Sequence, residues 1–568
     1  MLKNYLKTAY RSLLRHRFFS AINIFGLAVA MALSMIIIML VADQMTYDRY
    51  NTKRDRIYRL NTIPQGPNGE SLNEYATTTL PLKQELLENY TGIEKSVRIV
   101  RGFGNMWIDI GQNINVPISG YYADPEILEV FEYELAYGDA RTALIEPYSV
   151  VLTSKAAKKL FKEENPVGEV FKVGEEGPYK VTGVLKETKN KSHIPFEALA
   201  SMRSVESLEA QGKRGKDLNN WFNYTAGWVY VLLEPGRGQE HLQLALSQIE
   251  KKYFTTIANP DTQQRVTYQI QHLMNITPGP FISNMIGPFL PTIFVYFFMG
   301  LAGVVMLTSC FNFTNLSIAR SLTRAREIGV RKVTGAMRSQ IFIQFLSESV
   351  MVALLALGLA LVMLVVLKPM MLQLNLARIL RWDLEVNYAV YALFLVFAVV
   401  VGILAGIFPA AVLSGFQPVK VLKGLTNMKL FSGVRLRKTL LVTQFAFSLI
   451  FILTALVVYN QLQLFLLADH GFNMEKKIVL GLSNTSSTVL KTELLQYSNI
   501  ESVTAASHVL ASGTTQGEGY KRELGDENWT MLSYYATDED YLRNLDIPLV
   551  AGRYFKESDG ESNKNLIV

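Results

Sequence analysis

Residues 18–42, from Phe18 to Ala42, read FFSAINIFGLAVAMALSMIIIMLVA, with no charge between Arg17 and Asp43. At roughly 1.5 Å per residue, a helix of that length crosses the roughly 30 Å hydrocarbon core of a bilayer. A secretory leader has an apolar region of only about 7–15 residues and a small-residue cleavage site. This stretch is longer and has no clear site, so it reads as an uncleaved anchor.

Four further blocks repeat the pattern: about Phe289–Leu316, Ser349–Leu367 between Glu348 and Lys368, Tyr388–Val412, and Thr439–Leu462. Buried helices of a soluble core are the alternative, but they rarely run so long without charge. Of the 568 residues 49% are hydrophobic and 18% charged, and the apolar ones gather in these blocks. The expected fold class is a polytopic α-helical membrane protein, with about five transmembrane helices and α+β periplasmic domains. The single cysteine, Cys310, excludes an intramolecular disulfide and reads as a small apolar filler.

Lysine and arginine in short loops set orientation. Residues 1–17 carry +5 (Lys3, Lys7, Arg11, Arg15, Arg17), residues 317–343 carry +5, and residues 416–438 carry +6. All three fall on one side if five spans alternate. The N-terminus is then cytoplasmic, and residues 43–288 and those beyond about 463 are periplasmic, as expected of a bacterial inner-membrane protein. The whole chain carries +7, so the remainder carries −9. The positive charge is topogenic, and no nucleic-acid partner is expected. Leu2, Tyr5, Leu6, Ala9, Leu13 and Leu14 lie near one helical face, with Lys3, Lys7, Arg11 and Arg15 on another. Residues 1–19 therefore read as a basic amphipathic helix at the inner surface, or else as a plain positive flank.

The expected order is span 20–42, periplasmic domain 43–288, span 289–316, cytoplasmic loop 317–343, spans 344–370 and 386–415, linker 416–438, span 439–462 and a second domain 463–568. In the first domain Tyr148–Thr153, Tyr179–Leu185, Trp228–Leu233 and Val266–Ile270 read as strands and Lys155–Phe161 as a short helix, in one or two lobes. The plan repeats. Tyr50-Asn51 and Ile57–Leu60 return 422 residues later as Phe472-Asn473 and Val479–Leu482. Tyr121-Tyr122-Ala123, Glu126, Gly138 and Val150-Val151-Leu152 return as Tyr534-Tyr535-Ala536, Glu539, Gly552 and Leu566-Ile567-Val568. The second unit stops inside an expected strand, so it reads as a truncated or incomplete copy; a smaller complete domain is the alternative.

The loop reads Arg324-Ala325-Arg326-Glu327-Ile328-Gly329-Val330-Arg331-Lys332-Val333-Thr334-Gly335-Ala336. It resembles the signature loop of MacB/FtsX-type ABC transporter permeases. Residues 402–424, GILAGIFPAAVLSGFQPVKVLKG, resemble a second signature of that family, and Val150–Gly168 and Val181–Pro195 resemble its periplasmic core domain. Ala30 stands where a glycine is expected, and duplicated members carry eight spans rather than five. The resemblance implies that the loop holds a coupling helix, with Arg324, Arg326, Glu327, Gly329, Arg331, Lys332 and Gly335 docking on a cytoplasmic ABC ATPase subunit. It also implies a permease dimer and an export substrate such as a drug, a peptide or a lipoprotein. A periplasmic adaptor or substrate protein and membrane lipid complete the expected partners.

No Walker A pattern occurs; Gly215-Lys216 lacks the upstream glycine and is followed by Asp217. ATP is therefore expected on a separate subunit, and this chain is expected to hold no cofactor. Topogenic charge with anionic-lipid binding is the alternative for the loop. Asn312, Asn315 and Glu348 are polar groups near the inner ends of spans, read as bonding between helices rather than as a substrate path. His16, His193, His241, His272, His470 and His508 show no ligand spacing, so no metal site is expected, and nothing points to an enzyme. A regulator of a periplasmic enzyme, a membrane-anchored scaffold without an ATPase, and a secondary transporter are the rival functions.

Overall fold

In the computed structural model each apolar block is helical, the one extended form that satisfies its own backbone hydrogen bonds inside lipid. It describes residues 2–556 except 16, 66–70, 72, 104–106, 110–114, 163, 175, 256–264, 384–387, 416–430, 483–485, 513–515 and 521–529. The helices are α1 (Leu2–Arg15), α2 (Arg17–Gln44), α3 (Leu82–Asn89), α4 (Ile127–Val130), α5 (Ser154–Phe161), α6 (Met202–Ala210) and α7 (Gln239–Glu250). After them come α8 (Thr292–Val333), α9 (Arg338–Leu372), α10 (Asn375–Ile379), α11 (Tyr388–Ser414), α12 (Phe431–Leu467), α13 (Ser487–Leu494) and α14 (Tyr541–Asn544). Five of these, α2, α8, α9, α11 and α12, are long and apolar enough to cross a membrane.

Four of the five bundle around Leu27, Met31, Met35, Phe313, Ala353, Phe394 and Ala398. Gly402 and Gly406 let α11 lie directly on α9. A Cβ on Gly406 would stand 2.4 Å from Cβ of Ser349, and one on Gly402 would stand 2.7 Å from Cα of Val350. This is the small-xxx-small device of membrane helix packing. The fifth helix, α12, packs against α8 and leaves most of its apolar side chains exposed.

Between α2 and α8 the chain forms a twelve-stranded mixed sheet. Its strands are β1 (Ile57–Gln65), β2 (Ile93–Phe103), β3 (Trp107–Asp109), β4 (Asn115–Pro117), β5 (Gly120–Ala123) and β6 (Leu135–Gly138), then β7 (Ser149–Thr153), β8 (Val170–Val173), β9 (Gly177–Leu185), β10 (Ala198–Ser201), β11 (Gly227–Leu233) and β12 (Arg265–His272). Neighbours run β12-β1-β11-β2-β5-β10-β7-β9-β8-β3-β4, with β6 beside β9. The β5–β10 and β7–β9 pairs are parallel and the others antiparallel. The strands thus form one continuous sheet. The strand β11, with all seven residues buried, reads in sequence as an unbroken apolar run because both its faces are covered.

The second domain has a single hairpin among its described residues, β13 (Gln516–Tyr520) against β14 (Thr530–Tyr534). The repeated triplet at Leu566–Val568 and the linker residues Lys420, Lys423 and Lys429 lie outside the described residues.

The expected 317–343 loop is not a loop. The α8 helix runs through it to Val333, and α9 begins at Arg338. Charge ends an apolar run, but it does not end a helix.

Candidate functional site

Gly335 makes the turn between α8 and α9. Its φ of +100° suits glycine. The Ala336 N–H donates to the Arg331 carbonyl at 3.0 Å and the Gly335 N–H to the Lys332 carbonyl at 3.2 Å. This is a Schellman closure of α8. Across the turn, the Met337 N–H donates to Oε1 of Gln340 at 3.0 Å and starts α9.

The resulting helical hairpin is wired to the spans. Arg324 holds Glu348 with both arms, Nη1 to Oε2 at 2.9 Å and Nη2 to Oε1 at 3.0 Å, and lies over the Phe345 ring. Arg331 reaches Glu327 one turn back at 2.6 Å and Gln344 on α9 at 2.9 Å. Lys332 donates to the carbonyl of Ser414, the last residue of α11, at 2.7 Å. Burial and the nearby Arg338 hold the Lys332 ammonium below its ordinary range. Ile328, Ile341, Phe345, Ala410 and Leu413 form an apolar core beneath these bonds. The ends of α8, α9 and α11 therefore form one body.

The outward side of the hairpin carries groups the sequence reading passed over. Val330, Val333 and Met337 are 52%, 66% and 67% exposed. Val330 and Val333 lie one turn apart on α8, and Met337 stands just past the Gly335 turn. Gly329 is buried inside α8. The backbone of Arg326 lies in α8, and its side chain is outside the described atoms.

Of the three expected interhelix polar groups, Glu348 pairs as described. Asn312 faces Gly26, where a Cβ would meet its Nδ2 at 3.9 Å. Asn315 is buried with neither amide atom bonded among the described residues. Beside Asn312 and Asn315, Ser309 bonds the Gly26 carbonyl at 3.1 Å and Thr314 the Ala405 carbonyl at 3.0 Å, each across to another helix.

At the other end of the spans a second network fastens α2 to the sheet domain. Asp43 pairs with Lys191. Asp48 accepts from Ser192 Oγ at 3.1 Å and lies 2.7 Å from Nδ1 of His193, whose Nε2 is 2.8 Å from the Tyr230 hydroxyl on β11. Burial raises the Tyr230 pKa above the usual range. Arg59, wholly buried beside it, bonds Asn61 and Gln271. His193 is thus a structural bridge. Among the described residues no cluster of ligating side chains stands ready for a metal.

Comparison with known proteins covers both ends. Residues 20–249 match the MacB-like periplasmic core domain, and residues 299–418 match the FtsX-like permease C-terminal domain. An uncharacterized ABC transporter permease, YknZ, of Bacillus subtilis is 25% identical over 36% of this chain and 45% of its own. The pyoverdine export ATP-binding/permease protein PvdT of Pseudomonas aeruginosa is 24% identical over 62% of this chain and 49% of its own. This chain spans just under half the length of each. A solved domain of a putative permease protein from Porphyromonas gingivalis is 20% identical, covering 39% of this chain and 91% of that one with a TM-score of 0.34. The first match takes in α2 and most of the sheet domain, and the second takes in most of α8, the hairpin, α9 and α11, so the chain belongs to the MacB/FtsX-type family of ABC transporter permeases.

Proposed function

We propose that this chain couples ATP hydrolysis by a separate cytoplasmic ATPase subunit to movement of its own periplasmic domain, with the α8–α9 hairpin as the docking element. The supporting observation is the hairpin tip. The exposed apolar side chains of Val330, Val333 and Met337 at the tip suit a protein socket better than open water. The bonds of Arg324 and Lys332 carry a push on that tip into three spans at once. ATP and the catalytic groups belong to the partner, and this chain performs no chemistry of its own. In this reading the N-terminus is cytoplasmic, two permease chains face one another in a bacterial inner membrane, and the work is export of a drug, peptide or lipoprotein-like substrate, with an adaptor or substrate protein in the periplasm.

The test is co-purification of the full chain in mild detergent beside a Val330→Asp, Val333→Asp variant. Both positions are exposed, so folding changes by no more than about 0.5 kcal/mol. A nucleotide-binding subunit bound to the parent and lost from the variant is the expected result. Retention by the variant removes the docking role from the tip, and a parent that captures no ATPase overturns the reading as a whole.

A further inference from the structure

The strap that returns the chain from β12 to α8, residues 273–291, holds one large apolar side chain outward. No Asp, Glu, Lys or Arg occurs between Arg265 and Arg320, so the strap carries no charge. The sheet domain grips its second half. The Ala76 N–H donates to the Ser283 carbonyl at 2.8 Å, Trp228 Nε1 donates to the Asn284 carbonyl at 2.9 Å, and the Tyr121 hydroxyl donates to the Ile286 carbonyl at 2.9 Å. Ile276, Ile282 and Ile286 are buried in the domain core. Phe281, next to Ile282, is 80% exposed.

The height of Phe281 follows from the backbone. The Gly279 N–H donates to the Leu290 carbonyl at 3.2 Å, and the Thr292 N–H donates to the Gly279 carbonyl at 2.8 Å. These bonds pin Gly279 to the start of α8. Two residues of chain reach about 7 Å at most, so Phe281 stands within that distance of the point where the span begins. Its ring centre lies 6.0 Å from that of Phe289. Past Phe289 the exposed apolar surface continues on α8 with Ile293, Phe294 and Phe297.

A single exposed phenylalanine far from a membrane would call for no explanation. This one is fastened on both sides by backbone bonds, lies close to the start of a span and belongs to an uncharged segment. From this geometry we infer that Phe281 and Phe289 form an interfacial foot, entering the boundary between headgroups and acyl chains in the leaflet on the sheet-domain side of the membrane. Aromatic and aliphatic side chains settle about 5–10 Å into that boundary, where charged groups in the strap would be costly. Lipid is the occupant because this surface continues that of a membrane-crossing helix. A soluble partner would have to displace lipid from the start of α8 to cover the same rings. The sheet domain then rests on the membrane at a point of its own, besides its covalent joints through α2 and α8.

The test places a nitroxide label on Phe281→Cys in the full chain, with Cys310→Ala removing the native thiol, reconstituted in phosphatidylcholine bilayers. Power saturation reads collisions with oxygen, which concentrates in lipid, and with a nickel chelate, which stays in water. Ile293→Cys, on the exposed surface of α8, is the lipid reference. Val170→Cys on β8, 55% exposed and near the charged Glu169 and Lys172, is the aqueous reference. The oxygen-to-nickel ratio at 281 should lie near that at 293 and severalfold above that at 170. Pro280 is also exposed, and a label on Pro280→Cys gives an independent reading of the same depth. Both positions lie outside the core, so neither substitution threatens the fold. Ratios at 280 and 281 equal to that at 170 overturn the foot. Exclusion of both reagents at 281 overturns lipid as the occupant, in favour of protein such as a second copy of the chain.

Discussion

The sheet domain and the C-terminal unit show the same local geometry in very different surroundings. In the first, Asp124 accepts from the Arg98 N–H at 2.7 Å and pairs with Lys83 of α3 at 3.0 Å. In the second, Asp538 accepts from the Ala505 N–H at 3.0 Å and pairs with Lys491 of α13 at 3.3 Å. Glu132 and Asp546 share a left-handed backbone, with φ of 52° and 53°, as do Gly138 and Gly552, with φ of 96° and 94°. Asn51 and Asn473 each accept from the N–H two residues on, both at 2.8 Å. The packing differs. Ile57 and Leu60 are fully buried in the large sheet, while their counterparts Val479 and Leu482 are 67% and 48% exposed. Turns and side-chain caps follow from a few neighbouring residues. Burial needs partners distant in sequence, and among the described residues the second unit has one hairpin where the first has a full sheet.

Removing the paired acid should show this most strongly. Asp124 is buried with Arg98 and Lys83 around it, so Asp124→Ala should cost about 3–5 kcal/mol in the first unit. Asp538→Ala, in a more open setting, should cost about 1 kcal/mol. Denaturant unfolding followed by a probe in each unit measures both, and equal losses would break the comparison.

The paired glycines sharpen it. A Cβ on Gly138 would stand 2.4 Å from the Thr182 carbonyl oxygen, whereas one on Gly552 would meet nothing within 4 Å among the described residues. Gly138→Ala should cost about 3 kcal/mol, strain and clash together. Gly552→Ala should cost about 1 kcal/mol, from backbone strain alone. The same unfolding experiment reads the difference, and two equal values would mean that the first sheet yields more easily than its packing suggests.

The smallest effect is in pH. Burial opposes ionisation of Asp124, but Arg98 and Lys83 outweigh it and hold its pKa below the usual carboxylate range. A depressed carboxyl stabilises above its unfolded pKa, near 4, and that stability is lost as pH falls through the lower folded value. For Lys491, burial is outweighed by Asp540 and Asp538, and its pKa is raised. Its contribution is complete below the unfolded pKa, about 10.4, and is lost as pH rises through the folded value. Limited proteolysis across pH should therefore open the first unit on the acid side and the second on the alkaline side. Asp124→Asn should flatten the acid limb, and an unchanged limb would remove Asp124 from that account.

Much of this architecture was legible in the chain. Five uncharged blocks gave the membrane helices, β-branched and aromatic runs gave β7, β9, β11 and β12, and the recurring Tyr-Tyr-Ala gave the duplication. The resemblance implied a helix in the loop, but its continuity with the span was not legible, because Arg324, Arg326, Arg331 and Lys332 interrupt the apolar run although α8 continues to Val333. The bonds that tie it down were hidden because Glu348 and Ser414 lie on other helices, 24 and 82 residues from their partners. His193 offered no motif, since its partners Asp48 and Tyr230 stand 145 and 37 residues away. The exposure of Val330, Val333 and Met337 depends on how the hairpin folds back, which spacing alone does not give.

The α8 helix contains no proline along its 42 residues, whereas Pro369 interrupts α9 and Pro409 interrupts α11. At 1.5 Å per residue it is a rod of about 63 Å. A rod pivoting at its middle acts as a lever with two arms. A tilt of about 5° carries each end roughly 2.7 Å, in opposite directions, with no joint between them to absorb the stroke. Its neighbours carry prolines that can bend a helix, so under the proposed coupling α8 would set the amplitude of the motion and α9 and α11 would accommodate it.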